Sequence, residues 1–450
     1  MRSLLMLIVG VLLCGCASSV DGDEETVKSG PDAKLPPELG TRKAGVDWPR
    51  FLGPTGDSVS LEKGIVWPKD GPRVLWHMKV AEGYGMPTIS RGRLFLLDQL
   101  RTIVRLRCLK SETGEQLWRF EYESDYEDKY GYSNGPRCSP VVDGERVYIF
   151  GAEGMLHCLR VTDGKPIWKL DSKKEFGVVQ NFFGVGSTPV IEGDLLLTMI
   201  GGSPAGSDKV DFSELQSNGT ALVTFDKYTG KVKYKVGDDL AAYAAPVLAT
   251  IDKRRWCFVF ARSGLLGLDP TTGKLDFHYH WRARDLESVN AATPIVIGNR
   301  VLISETYGVG SALLEVKPGS CKEVWTDKDK GRGKSLMCHW NTPIHVDGYV
   351  YGCSGRHTNE AELRCVELAT GKVMWSEPGM TRTSLLLIDG HFLCLAEDGV
   401  LRLLKVNPKK YEEVAQVELR PPDKDGKPDA RARPVASAGG FHHRPPESGR

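Results

Sequence analysis

Arg137, Asn181, Tyr243, Glu287, Asn290, His339, Trp340, Asn341, Arg356 and Arg382 are the side chains of this 450-residue chain best suited to hold a ligand. Arg137, Tyr243, Asn290, Trp340 and Asn341 each stand a few residues before a proline that recurs along the chain, as do Cys138 and Ser187. Arg382 holds the same place in a unit that lacks the proline. The others lie in the segments feeding those places: "VVQNFFGVG" with Asn181, "RDLESVN" with Glu287, "KSLMCHWN" with His339 and "SGRHTNE" with Arg356 and His357. "DKYGYSNG" adds Tyr130 and Tyr132. A rim of Arg, Asn, Tyr, His and Trp suits a carbohydrate, a peptide or an anionic cofactor. Taken singly, each such residue more often satisfies a strand end or holds water.

Other chemistries find little support. The chain carries no G-x-S-x-G elbow, no H-E-x-x-H pair and no phosphate loop. Asp285, Glu287 and Glu305 could approach one another, but carboxylates in such loops commonly cap strand ends. His339 follows Cys338 directly, and adjacent strand residues point to opposite faces, which sets aside a nucleophile pair. No CxxC pair or His-rich cluster at metal spacing occurs, so no structural metal is expected.

The elements that must position these residues are repeats. An aromatic closes a similar stretch at Trp118, Trp168, Tyr234, Phe277, Trp325 and Trp375, usually after Thr-Gly, with spacings of 50, 66, 43, 48 and 50. The proline marker recurs at Pro87, Pro140, Pro189, Pro246, Pro294 and Pro343. Two marks sharing a period near 50 residues, separated by short apolar runs and Asp-Gly turns, predict four-stranded antiparallel propeller blades. The expected fold is therefore all-β. The six aromatics read as structural docking residues that fasten each outer strand to the next blade, where a large flat side chain fills the wedge between twisted sheets. Units begin near residues 85, 137, 186, 243, 290, 340 and 383, giving seven recognisable repeats, with "RVLWHMKV" (73–80) as a spare outer strand.

Lys plus Arg (59) balances Asp plus Glu (58), so no global field favours nucleic acid. The N-terminus "MRSLLMLIVGVLLCGC" has the proportions of a secretory leader; its ending Leu13-Cys14-Gly15-Cys16 resembles the bacterial lipobox, which implies Cys16 as a lipidation site, an ordinary cleaved signal being the alternative. Residues 17–46 are polar and breaker-rich and read as a flexible tether, 47–419 as the propeller, and 420–450 as a disordered or aberrant tail with no strand-length run. Eleven cysteines suggest disulfides, but Cys108, Cys158 and Cys365 occupy one equivalent place in three repeats, too far apart to bridge, and read as small buried residues.

The units ending in "T-G-K-x-x-W", with "DWPRFLGPTGDSVS" and "WPKDGPRVLW" before them, resemble the tryptophan-docking repeats of the pyrroloquinoline quinone (PQQ)-like β-propellers, over roughly residues 48–419. That family includes quinoprotein alcohol and glucose dehydrogenases and the lipoprotein propeller of the outer-membrane β-barrel assembly machinery. The resemblance implies eight-bladed geometry, here with an incomplete last blade; a ring closing with seven blades is the alternative. Its enzymes hold PQQ between a Trp floor and a ring of two adjacent cysteines, with calcium on Glu, Asn and Asp and an Asp base; this chain has no Cys-Cys pair. The resemblance thus implies an exported, lipid-anchored, periplasm-facing scaffold at the outer membrane. Its partners are then envelope proteins or a small polar ligand or glycan in the funnel, not nucleic acid, and it meets the membrane only through the lipid. No cofactor is expected; PQQ with calcium, in an alcohol- or sugar-oxidising enzyme, is the alternative, and a carbohydrate-binding propeller a third.

Overall fold

The computed structural model describes residues 35–41, 45–69, 71–180 and 182–419. Cys16, the expected leader, most of the expected tether, Asn181 and the expected tail lie outside them. Seven four-stranded antiparallel sheets follow one another along the chain. Blade 1 consists of Thr88–Ser90, Arg93–Leu100, Ile103–Lys110 and Gln116–Glu123. Blades 2 to 7 span residues 141–171, 190–236, 247–280, 295–326, 344–378 and 383–418.

The period-two alternation of each strand decides which face is buried. In blade 1, Phe95, Leu97, Val104, Leu106 and Cys108 are at most 1% exposed and meet Val147, Ile149 and Leu159 of blade 2. Five further cores of the same kind lie between blades 2 and 3, 3 and 4, 4 and 5, 5 and 6, and 6 and 7. Tight hairpins link the first two strands. In blade 6, Asp347 and Gly348 both have positive φ (47° and 83°), the two-residue geometry whose twist matches the strands.

Every third-to-outer strand pair carries a register shift beside the docking position. A bulge of this kind increases local twist and re-aims the side chain next to it. Trp118 then reaches over blade 2, its Nε1 donating to Val161 O at 2.9 Å. Trp168, Trp325 and Trp375 donate likewise to Lys227 O, Leu368 O and Asn407 O, and Tyr234 Oη to Pro270 O. The Thr-Gly turn supplies the floor for this contact. A Cβ on Gly164, whose φ is +73°, would fall 2.4 Å from Trp118 Cε3. Cys108, Cys158 and Cys365 lie directly opposite Trp118, Trp168 and Trp375 in the ladder, where a small buried side chain leaves room for the indole. The nine described cysteines are all free.

Phe277 differs from the other five. It has no polar hydrogen to donate, and the turn of blade 5, Pro318-Gly319, offers no floor, since nothing lies within 4 Å of a Cβ at Gly319. Phe277 packs instead into the core between blades 4 and 5, while the neighbouring Asp276 accepts from Gly319 N at 2.8 Å. Trp76, in the segment 73–80, does what Phe277 does not: its Nε1 donates to Ser111 O at 2.9 Å, and its ring covers Gly114 of blade 1. That segment runs extended outside any sheet, between blade 7, where Gly71 abuts Val417, and blade 1, where Ala81 N donates to Asp98.

The segment before it enters the ring. Trp48 pairs with Ile89 of blade 1, Pro49 O accepts from Val142 of blade 2, and Val59–Ser60 runs parallel to the inner strand of blade 7. Between these anchors, residues 50–56 face Val190, Val247 and Thr293 of blades 3 to 5. Residues 48–60 therefore plug the channel, folded back through positive φ at Leu52 and Ser58 (61° and 60°), both buried. Part of the expected tether, residues 36–41, lies along blade 1, with Leu39 N donating to Arg91 O and Arg93 Nη1 to Pro37 O.

Candidate functional site

The small polar residues around the proline marker join the blades at the mouth of the ring. Met86 N donates to Ser139 Oγ (2.9 Å), Ser139 N to Thr188 Oγ1 (3.1 Å), Ser187 Oγ to Ala244 O (2.8 Å) and Tyr243 N to Asn290 O (3.0 Å). Thr293 N reaches Thr342 Oγ1 (3.3 Å), and Asn341 Nδ2 reaches Ser384 Oγ (3.2 Å). Six successive joints are each closed by one such bond. In four of them a side chain answers a backbone group that the end of an inner strand leaves unpaired; the joint of blades 4 and 5 uses a backbone pair and that of blades 6 and 7 two side chains. Asn290 completes the pattern by donating from Nδ2 to Ala261 O at 2.7 Å.

Arg137 is a buried positioning group. Its guanidinium pairs with Asp128 at 3.1 Å, with side-chain exposures of 1% and 0%, and also donates to Gly135 O and Ser133 O. Asp128 accepts in turn from the backbone of Tyr130, Tyr132 and Ser133. The pair thereby fixes the loop that raises Tyr130 and Tyr132, 49% and 41% exposed, above the mouth. Beneath them lies an aromatic floor: Tyr130 meets Phe183 at 5.5 Å and Phe182 at 6.1 Å, and Tyr132 meets Phe183 at 5.8 Å. Tyr243 Oη accepts from Phe183 N, and burial drives its phenol pKa well up. The same cluster includes Phe212, Tyr307 and Trp340.

A second group gathers on blades 5 to 7. Arg382 grips Glu397 through two nitrogens (2.6 and 2.8 Å) and lies 4.2 Å from the Trp340 ring centroid. His339 stacks on the same indole at 3.9 Å and bonds Tyr307 Oη through Nε2 at 3.1 Å. Burial, then the charges of Arg382 and Arg356, hold its pKa well below the usual value, so the ring is neutral at pH 7. Arg356 is exposed and covers Tyr307 at 4.4 Å. Glu305 is buried, accepts from Tyr307 N at 2.8 Å and is pushed up to about 7 by burial.

The structure thus brings Arg137 and Tyr243 together through Phe183, and His339, Trp340, Arg356 and Arg382 together around Tyr307. Asn290 and Asn341 serve blade joints. Glu287 stands exposed on its loop, acting on Tyr130 only through its charge. Phe182, Phe183, Phe212 and Tyr307 are the residues that the sequence reading did not single out. Phe182 and Phe183 stand in the very loop chosen for Asn181, and Phe212 sits in the insertion that stretches one aromatic spacing to 66. Among the described residues no group of three or more His, Cys, Asp or Glu could hold a metal ion, and no helix is long and apolar enough to cross a membrane.

The sequence profile of a family described as outer membrane protein assembly factor BamB matches residues 102–377, more than half of the chain. An outer membrane protein assembly factor BamB from Moranella endobia (strain PCIT) is 21% identical over 319 residues, covering 69% of this chain and 72% of the relative. The crystal structure of BamB from Moraxella catarrhalis superposes with a TM-score of 0.50 at 14% identity, covering 74% of this chain and 85% of that one. A europium-containing methanol dehydrogenase aligns at a TM-score of 0.43 and 13% identity, covering 84% and 86%, too loose a fit to bear on the chemistry.

Proposed function

This chain belongs to the family of outer membrane protein assembly factor BamB, and we propose that it works as a non-catalytic scaffold of that assembly at the cell envelope. In this reading it is tethered by a lipid on Cys16 to the periplasmic side of the outer membrane and grips partner proteins with its funnel mouth. The observation that carries the reading is the raised pair Tyr130 and Tyr132. They are exposed on a loop whose backbone is held by the buried Arg137–Asp128 pair. Aromatic side chains held rigid and half in water are the usual anchors of a protein interface.

The residues at the mouth do not fit a bound PQQ and calcium. A flat quinone needs an open indole, and Trp340 has His339 and Arg382 against its ring. Calcium needs several oxygen ligands together, but Glu287 is exposed and Asn290, whose amide nitrogen donates into carbonyls, offers only its Oδ1.

The test is copurification of the tagged full chain with outer-membrane assembly proteins from its native envelope. Tyr130→Ala with Tyr132→Ala should cut recovery at least tenfold while the fold survives, and Cys16→Ser should move the chain from the membrane to the soluble fraction. Undiminished recovery by the double variant would remove the funnel mouth from the reading, and membrane retention of Cys16→Ser would remove the lipid.

A further inference from the structure

Six arginines are buried in the described structure, and five have partners. Arg93 donates to Pro37 O, Arg107 to Asp98, Arg137 to Asp128, Arg146 to Glu145 and Arg382 to Glu397. Arg262 is the sixth. It is 6% exposed, and among the described residues its guanidinium has no hydrogen-bond acceptor and no ion pair; its Nε is sealed from water. A guanidinium keeps its charge at neutral pH even though burial and the nearby Arg282 push its pKa down to about 10. With Nε sealed and only the Nη end open to the cleft, a charge so largely buried without a counter-ion is unfavourable, so a position like this needs a reason.

The surroundings are built for it. Arg262 lies 3.8 Å from the centroid of Phe212 and 5.8 Å from that of Phe182, two rings that hold the planar group by cation–π contact. Phe212 comes from the long insertion between the second and third strands of blade 3, within residues 200–221. Arg262 and Phe212 line a cleft on the funnel side of blades 2 to 4, walled by Val178, Val179, Met199, Leu215 and Ala241. The nearby acids are already engaged. Asp239 accepts from Ser263 and Leu240, and Glu153, on the cleft wall, accepts from Tyr122 Oη and Ser124 Oγ. Lys173 at the rim pairs with Asp125 at 3.6 Å.

We infer that this cleft is a receptor for a carboxylate carried on an apolar peptide segment, with Arg262 as its anchor and the Phe212 insertion as its wall. The carboxylate forms charge-assisted bonds with the guanidinium, and the apolar flank covers the valine and leucine surface. The inference rests on the scaffold reading and names the chemistry by which its face takes a partner.

The experiment titrates the full chain with three fluorescein-labelled hexapeptides ending in Leu-Val-Phe: the free acid, the amide, and the amide with an internal Glu. Binding of the first alone assigns the site to a chain terminus, and of the third to an acidic side chain. In either case the neutral amide should bind at least tenfold more weakly. Arg262→Gln should reduce the acidic probe to the level of the amide, Arg262→Lys should be intermediate, and the melting temperature of Arg262→Gln should hold or rise. The inference is overturned if no probe binds up to millimolar concentration, if the amide binds equally, if Arg262→Gln binds unchanged, or if Arg262→Gln and Arg262→Lys both lower the melting temperature markedly. Those failures leave copurification from the envelope intact, so the two readings fall separately.

Discussion

Blades 1 to 7 meet at six joints built alike and at a seventh built differently. Each of the six has a buried apolar core and a side-chain or backbone bond at the mouth, and five add a docked aromatic. Between blades 7 and 1 the same functions pass to the N-terminal segment. Its Trp48 pairs with blade 1, its Val59–Ser60 with blade 7, and its Trp76 docks as the aromatic of a blade that has no sheet of its own. On the far side of blade 7 Leu395 and Leu403 are buried but Leu386, Leu393, Leu401 and Val417 are only half-buried, whereas Leu385, Phe392 and Cys394 on its near side sit in the core shared with blade 6. Val66, Val74 and Leu75 of the spanning segment are 82%, 64% and 66% exposed. A ring can thus be closed with a thinner core at one joint, provided the chain itself is threaded across it.

The largest contrast should appear on truncating core residues. Phe258 is fully buried in the joint of blades 4 and 5, and Phe258→Ala should cost about 3–5 kcal/mol by chemical denaturation. Leu393→Ala on the open side of blade 7 should cost about 1 kcal/mol, because its side chain is only half removed from water. Equal costs would mean that the seventh joint is as well packed as the rest.

Acid separates the joints next. His157 is buried between blades 1 and 2, 4.6 Å from the Tyr122 ring, and burial, aided by Lys169, lowers its pKa to about 4. In the unfolded chain its pKa is about 6.5. The unfolded state therefore binds the proton more tightly, and stability falls as pH drops from about 6.5 to 4, by up to about 3 kcal/mol. His157→Phe should flatten that fall in denaturation curves taken at pH 7, 5 and 4. The spanning segment buries no such imidazole, its one histidine, His77, being exposed.

Much of this was legible in the sequence because it is periodic. Aromatic, Thr-Gly turn and proline repeat with the blade, so the fold and most docking residues follow from spacing. Trp76 escaped because its outer strand precedes the first complete unit. Phe277 shares the spacing of the other aromatics, although the turn it would dock on, "VKPGSCKEVW", lacks the Thr-Gly floor. The plug at 48–60 has no period, and its place is set by partners hundreds of residues away. The sequence places the polar mouth residues at strand ends but does not show their partners. Arg137 reads as a free ligand group until Asp128 is seen nine residues earlier, and Arg262 reads as an ordinary turn residue until its lack of a partner is seen.

The glycine floors test why the aromatic joints repeat. Gly164→Ala places a Cβ 2.4 Å from Trp118 and also demands an alanine at φ +73°, so it should cost about 2 kcal/mol or more. Gly319→Ala, at φ +81° but with open space, should cost about 1 kcal/mol, from the backbone alone. If both cost the same, the glycine recurs for its turn and not for the indole above it.

The smallest effect is the most discriminating. Trp118 and Trp76 each donate an indole N–H to a carbonyl of the next turn at 2.9 Å, so Trp→Phe removes the same bond, worth about 1 kcal/mol, from a cored joint and from the threaded one. At Trp118 the loss should appear in the global denaturation midpoint, because blades 1 and 2 share a core and unfold together. At Trp76 the midpoint should hold while amide exchange quickens over residues 73–82, because the extended segment can lift from the rim without opening any buried core. A matching fall in the midpoint for Trp76→Phe would show that the segment is cooperative with the ring, and that the seventh joint, though built of different chain, works like the other six.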